Sequence, residues 1–136
     1  MFTSLDISTS GLVAQRARLD AIASNLANLS TTRNEEGDFA PYREKYVTFE
    51  THTEIATSSG GVGVRVASVD ESSDPPVRTY RPGHPDADSQ GYVNLPDINM
   101  TEQFVDALQA TRAYEANIGV MEISKELGRQ TLQIIA

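Results

Sequence analysis

Cysteine and tryptophan are absent from these 136 residues, and histidine occurs only twice, as His52 and His84. Without cysteine there are no disulfides, thiolate metal sites or cysteine nucleophiles. With two histidines there are few ligands for a transition metal and few partners for a serine nucleophile, and no nucleophile-elbow sequence is present. Gly60, Gly61 and Gly63 lack the lysine and the following helix of a phosphate-binding loop. No apolar run approaches the roughly 18 residues of a membrane span. Eleven basic residues stand against nineteen acidic ones, a net charge of −8, which disfavours nucleic acid and anionic membrane surfaces as partners. At the N-terminus Asp6, Arg16, Arg18 and Asp20 interrupt what would have to be the apolar region of a cleavable signal peptide. No catalytic constellation, cofactor site or small-molecule substrate site is apparent, so an enzyme is not expected.

What the chain does contain lies mostly at its ends. Residues 4–29 and 99–135 each read as a long helix, ~39 Å and ~55 Å at 1.5 Å per residue, longer than a domain of this size is wide. Four leucines spaced by seven, Leu5, Leu12, Leu19 and Leu26, run along the first, with Ile22 and Leu29 beside them. In the second, Met100, Phe104, Ala107, Thr111, Tyr114, Ile118, Met121, Lys125, Gly128, Leu132 and Ile135 step by four and three. Such sustained steps indicate helices that pack along their whole length. Thr3 with Asp6 and Asn99 with Glu102 suggest capping boxes.

The middle differs. Ser30 to Asp38 is polar and turn-rich; Tyr42–Phe49, Val62–Val66, Val77–Tyr80 and Gly91–Val93 read as strands, separated by Ser58-Ser59-Gly60-Gly61, Pro75-Pro76 and Pro82-Gly83-His84-Pro85. The expected fold is therefore mainly α with a small β-rich insert: residues 1–32 and 99–136 form a helical assembly domain whose helices pair as an antiparallel coiled coil, and 33–98 form the insert.

The faces of the second helix carry the functional reading. Opposite the seam lies another apolar row, Val105, Ala116, Val120, Ile123, Leu127 and Ile134; Glu115, Glu122, Glu126 and Arg129 form a wet face; Ala110, Ala113, Asn117, Ser124 and Thr131 form a small, nearly uncharged one. One partner helix covers one face only, so the second apolar row points to neighbouring subunits. Leu5, Leu12, Leu19, Leu26, Phe104, Tyr114, Ile118 and Met121 are assigned to the helix-pairing seam. Ala116, Val120, Ile123 and Leu127 are assigned to contacts between subunits, with Asn25, Asn28 and Asn117 making polar contacts there.

Asp86-x-Asp88-x-Gln90-Gly91, with Asp97 at the twelfth place, follows the spacing of a calcium loop. Pro82 and Pro85 exclude the helix that should lead in, and an aspartate-rich turn capping backbone N–H groups explains the residues better.

Three motifs carry a resemblance. Ala23-Ser24-Asn25-Leu26-Ala27-Asn28 resembles the signature near the start of flagellar axial proteins, the rod and hook family. Arg112-Ala113-Tyr114-Glu115-Ala116-Asn117 resembles that family's C-terminal signature. Tyr80-x-Pro82-Gly83-His84-Pro85-Asp86-Ala87-Asp88-x-x-Gly91-Tyr92-Val93 is similar to a segment of a proximal rod member. The acidic stretch 33–38 and Gly128 depart from the family pattern. The resemblance implies a structural subunit of the rod, the drive shaft crossing the periplasm in the flagellar basal body. Its partners would be other rod subunits and the basal-body base, and the flagellar type III apparatus would export it. A helical adaptor or export chaperone holding one partner is the competing expectation.

Overall fold

The structure is a computed structural model that describes residues 2–135, and side chains within 4–134. It contains two long helices, α1 (Phe2–Ala27) and α2 (Met100–Ile135), and between them four strands: β1 (Lys45–Ala56), β2 (Val62–Glu71), β3 (Val77–Tyr80) and β4 (Tyr92–Leu95). β1 and β2 form one antiparallel hairpin, β3 and β4 another. The expected alternation of helix, strands and helix is thus present, with β1 and β2 each extending further toward the C-terminus than their apolar patterns suggested.

Asn99 starts α2: its Oδ1 accepts the N–H of Thr101 at 3.0 Å, a donor that a helix N-terminus leaves unpaired, and its carbonyl accepts that of Gln103 at 3.0 Å as the first bond of the helix. α1 begins at Phe2, one residue ahead of Thr3; the Thr3 and Ile135 side chains named above lie outside the described ones. α2 runs unbroken through Gly128.

α1 is the middle layer, with α2 against one face and the β1–β2 hairpin against another. On the α2 side, Arg18 reaches Asp106 at 3.0 Å, Asn25 meets Gln103 at 3.0 Å, and a methyl placed on Gly11 would come within 3.0 Å of Asn117 Oδ1. These pairs run in opposite directions along the two chains, so the helices lie antiparallel. About nine residues of α1 precede Gly11, whereas about eighteen of α2 follow Asn117. The last turns of α2 therefore project past the start of α1, leaving Leu132 and Ile134 exposed.

On the other face Ser10 Oγ accepts the N–H of Val64 at 3.0 Å, and Asn25 binds Lys45. The hairpin accordingly runs beside α1 for most of its length. The core is thin: Ala14, Ala21, Ile22, Val93, Leu95 and Ala110 are its buried apolar members among the described residues.

The turn between β3 and β4 depends on Gly91. It sits at φ 81°, and a Cβ there would stand 2.9 Å from the Tyr80 ring. Both the left-handed backbone and the aromatic contact oppose a side chain. Gly91→Ala is expected to destabilise the chain by about 2 kcal/mol, read as a lowered midpoint in thermal unfolding.

Candidate assembly interface

Most of the large apolar residues assigned to the seam lie beside the contact between α1 and α2 rather than at its centre. On α2 the buried and half-buried positions facing α1 are Gln103, Asp106, Ala107, Ala110, Ala113, Tyr114, Asn117, Met121 and Ser124. This stripe is centred on the small-residue face, about one residue round the helix from the row assigned to the seam. Of the seam residues, Tyr114 and Met121 lie at its edge, half-buried, whereas Phe104 and Ile118 are 57% and 38% exposed. On α1 the facing residues are, Ile22 apart, likewise small or polar, Ser8, Gly11, Gln15, Arg18 and Asn25, and Leu5, Leu12, Leu19 and Leu26 form a half-buried row along the flank. Small side chains bring two helix axes closer than leucine would permit, and a Cβ on Gly11 would press on the Asn117 side chain at 3.0 Å.

Two apolar rows on α2 are therefore left open, one on each side of α1. The first holds Met100, Phe104 and Ile118, and by helical phase (about 100° per residue) it lies on the same side of the pair as the leucines of α1. The second holds Val105, Ala116, Val120, Ile123, Leu127 and Ile134, all exposed, with Ile123 at 64% and Leu127 at 56%. Exposed apolar rows of this extent are unusual on a small chain.

The asparagines behave differently from the apolar residues. Asn25, assigned above to contacts between subunits, is 1% exposed and fully engaged within its own chain. Its Oδ1 accepts the Lys45 N–H at 2.8 Å and the Tyr42 O–H at 3.1 Å, and its Nδ2 donates to the Lys45 carbonyl at 2.8 Å and to Gln103 Oε1 at 3.0 Å. A carboxamide offers two donors and an acceptor with two lone pairs, and here all are used. Asn28 donates to the Ser24 carbonyl and accepts from Thr31 Oγ1, closing the end of α1. Asn117 donates to the Ala113 carbonyl on its own helix. Sequence reasoning placed Asn25 on a face open to neighbours because the hairpin that covers this face gives no sign in the helical pattern.

Gln103, missed by the sequence reading, is 3% exposed and links Asn25 to Glu44, whose Oε1 accepts from Gln103 Nε2 at 2.7 Å. Burial pushes the Glu44 carboxyl above its usual range; the Gln103 donor opposes this, and Glu102, Asp97 and Asp74 add repulsion. A carboxyl raised by folding binds its proton more tightly in the native state. Stability is then fully retained at low pH and is lost as pH rises from the unfolded value of about 4.5 through the folded one. Glu44→Gln keeps an acceptor for Gln103 and removes the charge. After allowance for solvent screening, it is expected to raise Tm at pH 7 by about 2 °C, a gain that vanishes below pH ~4; melts at both pH values check it.

The aspartates of the calcium-like spacing are occupied within the chain. Asp86 accepts from Arg33 Nε at 2.8 Å and from Thr32 Oγ1 at 2.5 Å, and these bonds, Arg33 first, hold its carboxyl below the usual range. Asp88 accepts the N–H groups of Tyr92 and Gln90 and the Arg78 guanidinium, which lower it likewise, Tyr92 foremost. Asp86 ties the loop to residues 32–33, and Asp88 closes the turn before β4.

Comparison with known proteins matches these same ends of the chain. Residues 5–33 match the family model described as "Flagella basal body rod protein", and residues 89–134 match the one described as "Flagellar basal body rod FlgEFG protein C-terminal". Both matches take in the paired helices, and the hairpin lies between them. The chain is similar to the flagellar basal-body rod proteins FlgC of Borreliella burgdorferi, at 39% identity with 99% of this chain and 97% of that protein covered, and of Bacillus subtilis, at 37% with 98% and 97% covered. Against FlgC of Salmonella typhimurium the identity is 40%, over 95% of this chain and 93% of the other. With apolar flanks that its own fold leaves open and end-to-end similarity to these proteins, the chain belongs to the FlgC family of flagellar basal-body rod proteins, structural subunits of the bacterial flagellum.

Proposed function

We propose that the chain polymerises with other rod subunits and with the basal-body base through the two flanks of its terminal helices, forming part of the drive shaft that transmits torque across the periplasm. The observation that carries this reading is the row Val105, Val120, Ile123 and Leu127, exposed along α2 beside a contact with α1 that is made without it. Burying apolar surface contributes about 25 cal/mol per Å², so packing these rows against neighbours offsets the loss of freedom on assembly.

In this reading residues 1–32 and 99–136 act together as the assembly unit and 33–98 as an insert carried on it. The helices wind as an antiparallel coiled coil, supported by the four-and-three spacing of Gln103, Ala107, Ala110, Tyr114, Asn117, Met121 and Ser124 along the contact. The chain reaches its place through the flagellar type III export apparatus. Nucleic acid, membrane lipid and small-molecule substrates have no part in it.

Electron microscopy of basal bodies from a strain lacking this gene tests the proposal. Rings without a completed rod, restored by complementation, are the expected result. Intact rods and filaments would overturn it and favour a helical adaptor.

A further inference from the structure

Asn25 occupies an unusual position relative to the β1–β2 hairpin. In that ladder the Ser72 N–H donates to the Glu44 carbonyl at 2.7 Å, so the N–H and C=O of the next residue, Lys45, point away from β2. A third strand would bond to that outer edge. Here the Asn25 carboxamide, held rigidly on α1, takes the place of a strand residue and makes both bonds to Lys45 at 2.8 Å. Its remaining donor goes to Gln103 on α2, and Gln103 in turn reaches Glu44, which precedes Lys45. The circuit from α1 to α2 to the root of β1 closes on itself. Both carboxamides are buried, and both are spent on it.

We infer that this Asn25–Gln103–Glu44 circuit is a coupling junction that fixes the hairpin's position on α1 only while α1 and α2 are in register. The geometry supports this because Asn25 can present its oxygen and nitrogen to Lys45 in one orientation only, set by the Lys45 N–H and carbonyl and by Tyr42, and Gln103 Oε1, accepting the second Nδ2 hydrogen, braces that orientation from α2. Sliding α2 along α1 moves Gln103 away from both Asn25 and Glu44, so the amide loses its brace on α2 and one buried donor goes unpaired, while Glu44 loses its donor. Elsewhere the α1–α2 contact holds many small residues together with Ile22, Tyr114, Met121 and the part-exposed Arg18–Asp106 pair. Among the described residues Asn25–Gln103 is its buried side-chain hydrogen bond, and that bond is the one continued to the root of β1. The inference concerns the chain's own fold and stands independently of the rod assignment.

The test is hydrogen exchange at the Lys45 amide, measured by NMR on the full chain for wild type, Asn25→Ala, Gln103→Ala and the double variant. Gln103 makes no hydrogen bond to Lys45, so a purely local role would leave that amide unchanged in Gln103→Ala. The junction requires Lys45 exchange to rise about tenfold in each single variant, and no further in the double than in the stronger single. Unchanged Lys45 exchange in Gln103→Ala, effects that multiply in the double variant, or an unprotected Lys45 amide in the wild type would each overturn the inference. Should Gln103→Ala fail to fold, Gln103→Met keeps the side chain's length while removing both bonds, and the same criteria apply to it.

Discussion

Asn25→Asp is expected to destabilise the chain by about 3–4 kcal/mol, a large loss for so conservative a change. The substitution is nearly isosteric, so packing is not what suffers. The Asn25 Nδ2 donates to the Lys45 carbonyl and to Gln103 Oε1; a carboxylate oxygen in its place turns both bonds into contacts between acceptors. The new charge would sit at a position that is 1% exposed, with Glu44 already in the same circuit. The Lys45 N–H and the Tyr42 O–H remain as donors to the other oxygen and limit the cost. Urea denaturation monitored by circular dichroism gives the value; the loss should shrink at acid pH as the new carboxyl takes up a proton. A loss under 1 kcal/mol at pH 7 would mean that the Asn25 amide matters less than its burial implies.

The order of elements was legible in the sequence because heptad steps, alternating valines and proline–glycine punctuation each have a direct physical cause. Lys45–Ala56 outran its apolar pattern because the later part of that strand carries threonines, His52 and glutamates and is held by pairing with β2 rather than by burial. The helix contact was misplaced for a different reason. Phe104, Thr111 and Ile118 have the same spacing as Gln103, Ala110 and Asn117, one residue apart, and a search for apolar periodicity selects the row with the larger side chains. The fold instead buries the row that lets the helices approach, with Gly11 opposite Asn117. The large residues then fall on the flanks, where a partner can reach them. Gln103 had no signal of its own, since a lone glutamine in a helix reads as a surface residue. Its role depends on Asn25 and Glu44, 78 and 59 residues away.

Placing one carboxylate on the open flank separates assembly from folding. Val120 and Leu127 are 48% and 56% exposed and face neither α1 nor the hairpin, so Val120→Asp or Leu127→Asp should change the stability of the chain by no more than about 0.5 kcal/mol. At a contact between subunits the same carboxylate must be stripped of water without a partner, a cost of about 3 kcal/mol or more, which is over a hundredfold in each association step. A rod subunit repeats that contact along the shaft, so the penalty compounds. The expected phenotype is loss of swimming in soft agar by a strain carrying either variant as its sole copy, while the purified chain melts as the wild type does. Glu122→Gln, on the wet face between the two apolar rows, is the control and should swim normally. Wild-type swimming by both flank variants would show that this row faces solvent in the assembled structure, and would move the assembly contact to the other flank, the leucines of α1 with Phe104 and Ile118.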